Sequence, residues 1–77
     1  MKWKRESSYY ISLQYKDYNF QVFKDYGSMG LSKPFYGIIL NNKIIEHGFF
    51  SQKEAKEHVY KILEVIKNNK GFQYENF

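Results

Sequence analysis

The sequence predicts an α+β domain: a four-stranded antiparallel meander with one C-terminal helix packed on one face, in the order ββββα. Three observations carry this. Two period-two apolar runs meet in register across a two-residue turn; a second pair of apolar runs flanks Asn41-Asn42; and a capped amphipathic stretch begins at Ser51. The 77 residues allow a single domain. It divides into a basic arm (1–7), a β-meander (8–50), a helix (51–69) and an aromatic tail (70–77).

The arm is polar and basic except for Trp3. From Ser8, the residues Tyr9, Ile11, Leu13 and Tyr15 alternate with Ser8, Tyr10, Ser12 and Gln14, which marks a half-buried strand. Tyr18, Phe20 and Val22 alternate with Asn19, Gln21 and Phe23 in the same way. If Lys16-Asp17 forms the turn, Tyr15 faces Tyr18, Leu13 faces Phe20 and Ile11 faces Val22, so all six share one face. A slip of one residue would scatter them over both faces, so the apolar pattern selects this register. Lys24 to Pro34 reads as a long loop with Gly27, Gly30 and Pro34. Phe35 to Leu40 reads as a third strand and Ile44 to Phe49 as a fourth. The connecting turn is Asn41-Asn42, because Asn tolerates the left-handed backbone of a type I′ turn; Asn42-Lys43 is the alternative.

Ser51-Gln52-Lys53-Glu54 fits a capping box, with the Ser51 hydroxyl accepting from the Glu54 amide and the Glu54 carboxylate reaching back to the Ser51 amide. Ala55, Val59, Ile62, Leu63 and Ile66 then form an apolar stripe, opposite a wet face of Lys53, Glu57, Lys61 and Glu64. Asn68, Asn69 and Gly71 end the helix.

Composition narrows the chemistry. The absence of cysteine rules out a disulfide framework and thiolate metal ligands. No run approaches the ~18 apolar residues of a membrane span, and no apolar run follows the basic start. A soluble protein of the bacterial cytoplasm is expected. His47 and His58 are the only histidines. With Glu54, four residues before His58, they offer at most a sparse zinc set, and both read as ordinary strand-end and helix residues. Asp17 and Asp25 read as turn residues. Gly27-Ser28-Met29-Gly30 with Ser32-Lys33 lacks the spacing and the following helix of a phosphate-binding loop. No enzymatic activity, metal or cofactor is expected.

The aromatic content is the most informative feature. One Trp, eight Tyr and seven Phe exceed what one sheet–helix interface can use. Trp3, Tyr10, Phe23, Tyr26, Phe35, Phe50, Tyr60, Phe72, Tyr74 and Phe77 are left over. In the register above, Tyr10 and Phe23 sit opposite each other on the outer face, flanked by the uncharged pairs Ser12–Gln21 and Gln14–Asn19. Aromatics are enriched and charges depleted at interface cores, so this face suits contact with a partner. The alternatives are that the arm and tail fold over the face, or that a homodimer forms through it or through an edge strand.

Phe, Tyr, Met, Ile, Asn and Lys dominate the chain, while Gly, Ala, Arg and Pro are scarce. That is the coding signature of a low-GC bacterium or one of its phages or plasmids. The junction Gly48-Phe49-Phe50-Ser51-Gln52-Lys53-Glu54-Ala55 resembles the strand-to-helix entry of the AP2-like arm-binding domains of phage integrases. That resemblance implies a sheet laid in the DNA major groove, presenting basic side chains. The outer face here offers Tyr10, Ser12, Gln14, Asn19, Gln21 and Phe23 instead, and the chain is expected to stand alone. A short, stand-alone, AT-rich chain also resembles the small host-defence inhibitors of phages and plasmids, anti-CRISPR proteins included.

The expected function is therefore binding: occlusion of a surface on a larger host defence or nuclease protein. The contact candidates are Tyr10, Phe23, Tyr26, Met29, Leu31 and Phe35. The alternative is nucleic-acid binding through Lys2, Trp3, Lys4, Arg5, Lys53 and Lys56, a mix of cations with a stacking indole. The formal net charge of +4 is spread along the chain rather than gathered on one element.

Overall fold

The structure, a computed structural model, describes residues 2–27 and 33–68. It is an antiparallel sheet of five strands followed by one helix. The strands are β1 (Lys4–Arg5), β2 (Tyr10–Tyr15), β3 (Tyr18–Asp25), β4 (Phe35–Leu40) and β5 (Lys43–Phe49), and they lie in chain order across the sheet. The helix α1 spans Gln52–Asn68. The expected meander of four strands is present as β2 to β5, and the basic arm adds a fifth strand at its edge. Lys4 pairs with Ser12 and Arg5 with Ile11. Two residues are too few for period two to appear in a sequence, so this strand read as a polar arm.

The arm enters β2 through a tight bend. The Glu6 and Ser7 amides both donate to the Tyr10 carbonyl at 3.2 Å, and the Tyr9 amide donates to Ser7 Oγ at 3.0 Å. This bend is why Tyr9 departs from its expected place in the core. It precedes the strand and its side chain is 63% exposed, although its carbonyl still accepts the Lys24 amide at 2.9 Å.

The first hairpin has the expected register, from Tyr15↔Tyr18 through Leu13↔Phe20 and Ile11↔Val22 to Tyr10↔Phe23. The second turn is Asn41-Asn42, both left-handed with φ of 48° and 71°. Asn41 is tied to β3 at both ends: its amide donates to the Asn19 carbonyl at 3.0 Å, and its Oδ1 accepts the Asn19 amide at 2.8 Å. Strand β5 departs from simple alternation. Its register against β4 shifts between Ile39↔Ile44 and Ile38↔Glu46, and again before Tyr36↔Phe49. Each shift adds one residue, so the two together restore parity and return Phe49 to the core side.

The core lies between one sheet face and the helix. Ile11, Leu13, Phe20, Val22, Ile38 and Leu40 from the sheet meet Ala55, Val59, Ile62 and Leu63 from the helix, all buried. Trp3, Tyr15, Tyr18, Tyr36, Ile45, Phe49 and Ile66 pack around them. The cap differs from expectation in one bond. Ser51 Oγ accepts the Glu54 amide at 3.1 Å, but Glu54 Oε2 accepts the Phe50 amide at 3.0 Å rather than that of Ser51. The β5 ladder ends at Phe49, which frees the Phe50 amide for this bond. Among the described residues, no helix is long and apolar enough to cross a membrane.

Candidate functional site

Paired residues on neighbouring strands share a sheet face. Chaining the registers therefore maps the face opposite the helix. One row runs Lys4–Ser12–Gln21–Ile39–Ile44 across all five strands. The next row is Tyr10–Phe23–Gly37, and Gln14–Asn19 lies on the other side. At ~4.8 Å between strands the face is about 19 Å wide. Among the described residues, the helix packs on the opposite face, and this one meets Glu6 from the bend between β1 and β2.

From its centre to the β5 edge it is uncharged and partly apolar in the rows above. Ile44 is 63% exposed, Tyr10 is 37% exposed, and Ile39 is half-buried. Phe23 lies flat: its ring edge fills the space where a side chain at position 37 would stand. Only glycine leaves that room, so Gly37 turns a projecting aromatic into a level part of the surface. The polar members bind one another. Asn19 Nδ2 donates to Gln14 Oε1 at 2.9 Å, and Gln14 Nε2 donates to the Lys16 carbonyl at 2.6 Å. Ser12, expected as an open-face residue, is only 7% exposed. Glu6 covers it and accepts its hydroxyl at 2.7 Å, which puts one carboxylate at the β1 margin. At the far end Phe35 and Phe50 form a tilted pair with ring centroids 5.7 Å apart, and Phe50 is 77% exposed.

The expected partner-binding residues thus separate. Tyr10, Phe23 and Phe35 share the open face, with Tyr26 exposed just beyond β3. Met29 and Leu31 lie outside the described residues, as do Phe72, Tyr74 and Phe77. Sequence reasoning missed Ile39 and Ile44. Their signal was the doublets Ile38-Ile39 and Ile44-Ile45: two adjacent apolar residues in a half-buried strand place one on each face.

Of the cationic candidates, Lys4 pairs with Ser12 in the open-face row, whereas Arg5 pairs with Ile11 on the helix side. Lys2, Lys4, Arg5 and Lys53 are exposed. Trp3 is docked on the helix: its Nε1 donates to Tyr60 Oη at 2.8 Å, the rings meet edge-on at 6.3 Å, and Lys56 Nζ sits 5.6 Å from the indole. The indole expected to stack on bases is engaged within the fold. His58 lies against Phe49 with ring centroids 5.3 Å apart, while His47 is exposed on β5. Among the described residues no three His, Asp or Glu side chains gather around a common point. Asp25, expected as a turn residue, is instead the last residue of β3, paired with Phe35, and its Oδ1 accepts the Gly27 amide at 2.8 Å where the chain leaves the strand.

Comparison with family models, with curated proteins and with solved structures found no match.

Proposed function

We propose that this chain is a non-enzymatic binding protein that inhibits a larger host defence or nuclease protein by steric occlusion, in the manner of an anti-CRISPR. On this reading it is encoded by a phage or other mobile element of a low-GC bacterium and works in the host cytoplasm. The open sheet face supports this best. It is wide, uncharged at its centre, and carries Tyr10, Phe23, Ile39 and Ile44 with the Phe35–Phe50 pair at its end. A flat surface of ordered aromatic and branched side chains loses little entropy on binding, which suits an anchor patch.

The sheet edges favour face-on contact. β1 is two cationic residues long, and β5 carries two register shifts. Short, charged and bulged edges resist the addition of another strand.

The test is plating efficiency of a targeted phage on a low-GC host with active nuclease defence. Expression of the chain should raise plating. Tyr10→Glu/Ile44→Glu, which changes two exposed residues, should abolish the effect, while Glu57→Gln on the helix's wet face should not. A chain without effect against the defences tested, or a face variant as active as the parent, overturns the reading. So does a dimer in sedimentation that Ile44→Glu dissociates, because the face would then be occupied by a second copy. Tight nucleic-acid binding that collapses between low and moderate salt would favour the cationic alternative instead.

A further inference from the structure

On the helix side of the sheet, where β1 and the start of β2 meet the first turn of α1, there is an open groove of about 210 Å³. That is many times the space a single water needs. Ile11, Val22 and Tyr36 contribute to its floor and Gln52 to its helix wall. Among the described residues that line it, the charged ones are Arg5 and Lys24, and none is acidic. Ser7, Ser8 and Tyr9 also line it.

Both cations have fixed backbones. Arg5 is paired with Ile11, and Trp3 two residues earlier is anchored to Tyr60. Lys24 is paired with Tyr36, and its amide donates to the Tyr9 carbonyl. They stand on β1 and β3 with β2 between them and are offset by two residues along the strands, so their Cα atoms lie roughly 12 Å apart. Two long side chains at that separation reach a single anion seated between them. Two cations in a groove whose described lining holds no carboxylate, with serines beside them, match the several acceptor oxygens of a phosphate group. Arginine binds such a group through a forked pair of donors and lysine as a point charge.

We propose that this groove binds the phosphate group of a small phosphorylated ligand. It lies on the side of the sheet away from the open face, and the proposal stands independently of the occlusion reading.

The test is a titration of ¹⁵N-labelled protein with sodium phosphate and, separately, adenosine monophosphate, at constant ionic strength against chloride. Saturable amide shifts should centre on Arg5, Ser7, Tyr9, Lys24 and Gln52. Arg5→Gln/Lys24→Gln should weaken binding about tenfold or more, since each removed cation is a charge-assisted partner. Lys43→Gln/Lys61→Gln, remote from the groove, should leave it unchanged, and Arg5→Lys, which keeps the charge but loses the fork, should bind more weakly than the parent and more tightly than Arg5→Gln. If the double variant does not fold, Lys24→Gln alone decides by the same comparison. Tighter binding of the nucleotide that falls to the phosphate value in Tyr9→Ala gives the ligand a planar ring on Tyr9; equal titrations assign the site to phosphate alone. Shifts that are linear, spread over all lysines, matched by chloride or untouched by removal of the groove cations overturn the proposal.

Discussion

The two faces of this sheet are made by the same alternation of residues, yet they are held in order by different means. On the helix side, Leu13, Phe20, Val22 and Ile38 lose nearly all their exposure because α1 lies over them. On the open side, order comes from pairs within the sheet: Phe23 over Gly37, Ser12 under Glu6, and Asn19 on Gln14. The covered face is stabilised by area removed from water. The open face is stabilised by local complementarity that keeps it level while leaving it wet. A face built in the second way can present apolar groups without collapsing onto them, and that is what a docking surface requires.

The largest expected difference between the faces comes from truncating their aromatics. Phe20 is fully buried, so Phe20→Ala should cost about 3–5 kcal/mol. In a domain of this size that is a large share of total stability. Urea unfolding should show a much lower midpoint or no cooperative transition. Tyr10→Ala on the open face should move the midpoint little, and equal losses at the two positions would show that the open face is in fact covered.

Gly37→Ala probes the open face's own packing. The added methyl group collides with the Phe23 ring, so the ring must lift from the sheet, at a cost of about 1–3 kcal/mol. Phe23→Ala removes the obstacle. The double variant should therefore be more stable than the sum of the single losses predicts, and additive losses in the cycle would dissolve the Phe23–Gly37 contact. For this reason Phe23 is a poor target for testing binding by charge insertion, because the change would disturb the face as well as recolour it.

The cap of the covering helix comes next in size. Ser51→Ala removes the acceptor of the Glu54 amide and should cost about 1 kcal/mol. Glu54→Gln should cost less, because the amide oxygen can still accept from Phe50. Thermal melts of the two variants check the order.

How much of this was legible in the sequence differs between the faces and between the hairpins. The register of the first hairpin was readable, because a two-residue turn between two alternating runs leaves only one register that gathers Ile11, Leu13, Phe20 and Val22, but its second strand runs on through Lys24 and Asp25, polar residues that read as the start of a loop. The helix stripe was readable for the same reason. The second hairpin was readable at its Asn41-Asn42 turn but not along β5, since each register shift breaks the period that betrays a strand. β1 was hidden because Lys4 and Arg5 carry no apolar period, and their strand exists through pairing and the docking of Trp3. Tyr9 was misplaced because a serine turn at Ser7 interrupts a run that still looks alternating. On the open face, Tyr10 and Phe23 were found by register, whereas Ile39 and Ile44 hid inside doublets that read simply as hydrophobic strands.

The smallest expected effect on stability is at Ile44, and it sharpens the contrast most. Its side chain is 63% exposed on the edge strand, opposite Ile39. Folding removes little of its area from water, so Ile44→Thr, which keeps the β-branched shape that suits a strand, should change stability by no more than about 0.5 kcal/mol. Its partner on the adjacent position, Ile45, packs against the core, and Ile45→Thr should cost clearly more in the same urea titration. One residue apart in the chain, the pair reports on opposite faces. If Ile44→Thr proves as costly as Ile45→Thr, Ile44 is buried in solution, by the tail or by a second copy, and the open face is not free. If Ile44→Thr is silent in folding yet lowers protection of a targeted phage, the exposed isoleucine is retained for what it touches in a partner, not for what it contributes to the fold.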